Sequence, residues 1–178
     1  MALKIFEKQI RDRINKSLPG KTAQMKMAPE IRANFPESKT DAVKSAVIIP
    51  VFQRNNELHT AFMQRTKDGS HHSGQVCLAG GKHEEQDMSL EDTALREFYE
   101  EMGISADQMR IIGALSSLHV YVSRFDIFPF IAIMDQPPDF YPDPAEVSEI
   151  IEFPLNKLKD PATRKTKEMT VHGYSFQC

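Results

Sequence analysis

Gly80-Gly81-Lys82-His83-Glu84-Glu85-Gln86-Asp87, continued downstream by Arg96-Glu97-Phe98-Tyr99-Glu100-Glu101-Met102-Gly103-Ile104, decides how this 178-residue chain is read. A Gly-Gly turn leads into an acidic loop and then into a helix with Glu97, Glu100 and Glu101 on one side. At about 100° per residue the three fall within a roughly 100° arc, so their carboxylates can meet at one point. Leu90, Ala94, Phe98 and Met102 form an apolar stripe on the same wheel, and Glu101 falls inside it. Converging carboxylates turned toward a core repel one another and resist desolvation. A hard cation removes that cost. Mg²⁺ or Mn²⁺ suits carboxylate oxygens, and Mg²⁺ keeps several waters and often shares substrate phosphates. Taken alone, Arg-Glu-x-x-Glu-Glu is more often a solvated acidic helix face than a metal site.

The whole string resembles the Nudix box, G-x5-E-x7-R-E-U-x-E-E-x-G-U, in which U is a bulky apolar residue. Arg96, Glu97, Phe98, Glu100, Glu101, Gly103 and Ile104 match its second half. In the first half Asp87 stands where the box has Glu, and eight residues rather than seven separate it from Arg96. A loop can absorb the extra residue without moving the carboxylates.

Upstream, Arg65, Thr66 (in place of Ser), Gly74, Gly80 and Gly81 fit a second pattern, L-L-T-x-R-S-x3-R-x3-G-x3-F-P-G-G. This resembles the signature of the coenzyme A diphosphatase branch of the Nudix hydrolases. Ser70 replaces its second Arg, Leu78 its Phe and Ala79 its Pro. Lys67, His71 and His72 are alternative sources of positive charge. Leu18-Pro19-Gly20 and the run from Glu146 to Leu155 add weaker likeness, so the resemblance spans roughly residues 18–158.

The totals set bounds. One domain is the default at this length. A net charge of −3 with 26% charged residues gives no field that favours nucleic acid. No apolar run reaches membrane-span length, and the first residues lack a signal-peptide core. Two cysteines, Cys77 and Cys178, make no disulfide framework. The expectation is a cytoplasmic protein that binds neither nucleic acid nor membrane, with a homodimer left open.

Along the chain, residues 3–17 read as an amphipathic helix carrying Phe6, Ile10 and Ile14 on one face. A polar connection with Pro29 and Pro36 follows. Residues 43–52 and 57–65 read as a hairpin, with Pro50 arguing for an edge or a bulge. Residues 76–79 read as a short buried strand, with Ser89 as N-cap and Gly103 as stop of the box helix. Strands are expected at 109–118 and 125–134, regular structure of either kind at 145–153, a short helix at 154–158, and a last hairpin about His172-Gly173. The expected fold is an α/β/α sandwich of the Nudix type with a mixed β-sheet. Residues 1–40 form the helix and connection packed on its core, and residues 41–178 the Nudix domain.

The resemblance implies metal-dependent hydrolysis of a nucleoside diphosphate linked to another group. It assigns Glu97, Glu100 and Glu101 as catalytic metal ligands for Mg²⁺ or Mn²⁺, with the Gly81 carbonyl added. The attacking water would be oriented by a cluster carboxylate or by a late-loop one, Glu146 or Glu149. Arg65 reads as a phosphate fork or as a strand-end salt bridge. His72, Gly74, Gln75 and Gly80 complete the candidate substrate-binding set. Arg96 reads as structural, pairing Asp87 or a cluster carboxylate. Three functions remain in play: a diphosphatase of coenzyme A or acyl-CoA, a diphosphatase of another nucleotide derivative such as ADP-ribose, and a silent nucleotide-binding module. The intact carboxylates count against the last.

Overall fold

A computed structural model describes residues 2–28, 41–69, 72–121, 123–163, 165–166, 168–171 and 174–177. Ser70, His71, Pro29, Pro36 and the His172-Gly173 turn lie outside them. Helix α1 (Ala2–Ile14) is followed by the single turns of α2 (Gly20–Gln24). Strands β1 (Val43–Arg54) and β2 (Glu57–Arg65) form the hairpin. Next come β3 (Val76–Cys77), β4 (Gly80–Lys82) and the box helix α3 (Leu90–Met102). The chain continues through β5 (Arg110–Ala114), β6 (Leu118–Val120), β7 (Phe125–Ile133) and β8 (Val147–Pro154). A 3-10 segment at Leu155–Lys159 stands at the expected short helix, and β9 (Glu168–Val171) pairs with β10 (Tyr174–Gln177) as the last hairpin.

β1 organises the mixed eight-stranded sheet. It runs parallel to β7 from Val43↔Phe125 to Val51↔Ile133. On its other side it pairs antiparallel with β4 at 45–47 and with β2 at 52–54. Its side chains alternate between two cores. Ala46, Ile48 and Phe52 join Phe98 and Met102 of α3, whereas Ile49 and Val51 join Leu3, Phe6, Ile10 and Ile14 of α1. The period of two in the strand thus sorts apolar side chains to a helix on each face. Full burial of each Phe or Met contributes about 1.5–3 kcal/mol.

The turn of the hairpin is Asn55-Asn56, with φ of 50° and 64°. Asparagine tolerates this left-handed region, which matches the twist of the flanking strands. β1 and β2 then splay apart, and the segment from β3 to β4 fills the fork. Met63 pairs with Cys77 on one side, and Val47 pairs with Gly80 on the other. The Ile48 amide bonds the Ala79 carbonyl at 3.0 Å in between.

Two sequence expectations need correction. Pro50 lies neither on an edge strand nor at a bulge: it is in register with Ala132 in the middle of the sheet. Its missing N–H would point the same way as that of Ile48, into the fork between the β4 and β2 pairings, so no ladder bond is lost. The expected strand 109–118 breaks after Ala114, and the carbonyls of Ser116 and Ser117 turn out to accept from Gln24 Nε2. Val76, expected to be buried, is exposed.

α3 begins and ends as expected. The Ser89 hydroxyl accepts from the Asp92 amide at 3.1 Å, and Gly103 closes the helix at φ 69°. A Cβ on Gly103 would also overlap the Tyr141 carbonyl. Gly103→Ala combines the left-handed penalty with that overlap and is expected to cost about 2 kcal/mol or more. Urea melts check this; a loss within error of wild type would refute it.

Candidate active site

The fork places the Gly-Gly turn directly beneath α3. Gly81 faces the helix, and a Cβ there would collide with the Glu97 carboxylate, so only glycine lets that carboxylate rest on the strand. The Gly80 N–H donates to Glu101 Oε2 at 2.7 Å. Glu101 is 3% exposed and sits at the edge of the α3 core. Burial, first, pushes its pKa up to about 7; the Gly80 amide opposes this, Glu97 and Glu146 add to it, and Arg65 opposes it. Glu97 is also raised, chiefly by burial and against the pull of Arg96. Glu100, one turn along, is exposed.

Arg96 ties the helix to the loop before it. Its Nε and Nη2 meet Asp87 Oδ1 and Oδ2 at 2.9 and 3.1 Å, and Nη2 also donates to the Lys82 carbonyl at 3.1 Å. Nη1 donates to Glu97 Oε1 at 2.9 Å and Glu100 Oε2 at 3.0 Å. The guanidinium holds the Asp87 carboxyl well below the usual carboxylate range. Thr93 was not singled out from the sequence. Its buried hydroxyl lies 2.8 Å from Asp87 Oδ2 and 2.8 Å from His83 Nδ1. A threonine on the core side of a helix carries no sequence signal for this role.

Arg65 ends β2 beside the cluster. Its Nη1 is 3.4 Å from Glu101 Oε1, and its Nη2 is 3.8 Å from Glu146 Oε2. The polar loop after it is fastened at its base. Arg65 N–H bonds the Gln75 carbonyl at 2.9 Å, and Gly74 N–H bonds the Thr66 carbonyl at 3.2 Å with φ of 70° at Gly74. His72 Nδ1 lies 3.0 Å from Gln75 Oε1. The Thr66 amide and hydroxyl bind the Glu146 and Ala145 carbonyls, which pins the late loop to the early one. The structure therefore joins Arg65, Gly80, Gly81, Glu97, Glu101 and Glu146 around one place. Glu149 instead pairs in the ladder with Gln64, and His72 and Gln75 meet each other at the loop base. Cys77 is near enough for Glu101 and Arg65 to act on its pKa, which burial raises, as fits a packing residue and not a nucleophile.

The donor set fits a hard divalent ion. Two desolvated carboxylates are the groups whose ionisation such a cation would favour. As placed, Glu97 and Glu100 turn to Arg96, and no three His, Cys, Asp or Glu side chains among the described residues form a ligand cluster.

The profile of the NUDIX domain matches residues 42–172. The chain belongs to the Nudix family. It is 29% identical over 134 residues to the Nudix hydrolase NudL of Pectobacterium atrosepticum, covering 75% of this chain and 66% of that one. It is 29% identical over 133 residues to the peroxisomal coenzyme A diphosphatase NUDT7 of Mus musculus, covering 75% and 56%. The chain thus spans between about half and two thirds of these curated relatives. Among solved structures, the NUDIX domain of Shewanella oneidensis NrtR complexed with ADP ribose superposes with a TM-score of 0.54 at 21% identity, over 72% of this chain and 84% of that one. A C. elegans Ap4A hydrolase also gives 0.54, at 16% identity over 65% and 82%. These two show the shared fold. No described helix is long and apolar enough to cross a membrane.

The two shifted carboxylates set a pH dependence. Glu101 keeps its proton up to about pH 7 in the fold but loses it near 4.5 when unfolded. Between those values the native state holds the extra proton, so stability of the cation-free protein falls as pH rises through this window. Glu97 acts in the same sense. Asp87 acts oppositely, but its contribution is lost only as pH falls below its ordinary 3.8. Glu101→Gln is expected to flatten the fall. Urea melts in chelator from about pH 5 to about pH 8 measure it, and an unaltered slope in the variant would refute the assignment.

Proposed function

We propose that this Nudix protein is a divalent-metal-dependent diphosphatase of coenzyme A or an acyl-CoA, giving 3′,5′-ADP and 4′-phosphopantetheine or its acyl form. The observation that carries the reading is Arg65, a guanidinium from the upstream motif held 3.4 Å from the buried acid of the box. It is the only arginine between Arg54 and Arg96. Family membership and the similarity to a coenzyme A diphosphatase support the same reading. The missing arginine at Ser70 favours a second reading, a diphosphatase of another nucleoside diphosphate derivative such as ADP-ribose. A cytoplasmic location and a small-molecule nucleotide substrate complete the proposal.

Glu97, Glu100 and Glu101, with the Gly81 carbonyl, would hold Mg²⁺ or Mn²⁺. Bound there, the cation would neutralise charge on the phosphate oxygens and lower the pKa of an attacking water. Arg65 presents two parallel N–H donors, a geometry suited to a phosphate. Glu146, on the late loop within reach of Arg65, would orient the water. Arg96 acts at a remove: it fixes the helix and loop that carry the carboxylates and touches no substrate.

One assay panel tests the reading. Chelator-treated protein is expected to be inactive, and Mg²⁺ or Mn²⁺ to restore turnover; full turnover in chelator would sink the mechanism. Intact coenzyme A is expected to show higher kcat/KM than dephospho-coenzyme A or ADP-ribose. Arg65→Ala is expected to raise KM for coenzyme A, at a cost of about 1.5–3 kcal/mol for a lost charged hydrogen bond. Equal kcat/KM for coenzyme A and ADP-ribose, with no effect of Arg65→Ala, would favour the general diphosphatase.

A further inference from the structure

Glu101 has two oxygens, and they face different partners. Oε2 accepts the Gly80 N–H at 2.7 Å, fixed by the strand. Oε1, the oxygen left for a cation, faces Arg65 Nη1 at 3.4 Å. The second arm of that guanidinium reaches Glu146 at 3.8 Å. Both distances exceed a well-formed charged hydrogen bond, so the contacts are loose ones. The backbone of Arg65 is held in β2 and by its amide bond to Gln75, while the side chain is about a third exposed. Only the side chain has to move for the contact to break.

The geometry points to Arg65 as a positioning residue of the metal centre, one that competes with a divalent cation for Glu101. Without the cation, the guanidinium faces Glu101 Oε1 and Glu146 Oε2. Two positive groups cannot share Oε1 in a desolvated site without strong repulsion, so cation binding expels the guanidinium. The expelled fork is then available to a phosphate. This inference rests on the metal-dependent reading above. Arg96 also meets Glu97 and Glu100, but its bonds to Asp87 and the Lys82 carbonyl anchor its fork to the loop, so it is not released in the same way.

The test needs no turnover. Mn²⁺ is titrated calorimetrically into chelator-treated, folded wild type, Arg65→Gln, Lys67→Gln and Glu101→Gln. Arg65→Gln is expected to bind Mn²⁺ roughly tenfold tighter through loss of the competing charge. Lys67→Gln, which removes an exposed loop charge two residues away, is expected to stay within about twofold. Unchanged or weaker binding in Arg65→Gln, or an equal gain in Lys67→Gln, would overturn the competition. A second readout uses the wild type alone: saturating Mg²⁺ should shift the Arg65 Nε–Hε resonance, assigned by its loss in Arg65→Lys, and no shift would overturn the role. If wild type and Glu101→Gln bind Mn²⁺ alike, the metal reading itself fails and this inference falls with it.

Discussion

A single guanidinium carries the candidate site. Arg96 directs its donors to Asp87, Glu97, Glu100 and the Lys82 carbonyl. The bidentate pair with Asp87 joins the helix to the loop that precedes it, and the bond to Lys82 joins both to β4. Asp87 is nearly buried, so its charge is tolerable only with that partner. Truncating Arg96 would leave Asp87 as an uncompensated buried charge, whereas Arg96 without Asp87 would keep Glu97 and Glu100. The loop with its extra residue is thereby shaped by one ion pair and the hydroxyl of Thr93.

The three box carboxylates divide between two arginines. Glu97 and Glu100 lean on Arg96, and Glu101 leans on the Gly80 amide and, loosely, on Arg65. The division follows from depth. Glu100 has water, Glu97 is half-desolvated, and Glu101 sits at the core edge, where burial dominates its pKa. A group so placed weakens the fold at neutral pH.

Much of this could be read from residue order. The bounds of α3 were legible because Ser89 and Gly103 are chemically suited to helix ends, and Arg96 could be read as pairing Asp87 or a cluster carboxylate, of which it meets Asp87, Glu97 and Glu100. The α/β/α layering followed from apolar periodicity in α1, β1 and β7. Tertiary pairing was not legible. Pro50 argues locally for an edge, yet the sheet opens beside it; Ser116 and Ser117 end a strand only because Gln24 reaches them. Nor could the sequence separate Glu146 from Glu149, since which one turns to Arg65 depends on where β8 joins β2.

The fork between β1 and β2 has a consequence for how such a site can diversify. The acids and their glycines hang on one prong, through β4; Arg65 and the polar loop after it hang on the other, through β2. Proline at position 50 leaves the crotch without a bond that would weld the prongs there. Insertions, deletions or exchanges in the polar loop after Arg65 therefore act on one prong and leave the register of the other unchanged. A lineage built on this scaffold can remodel the loop on one prong while the acids and their glycines on the other are inherited intact.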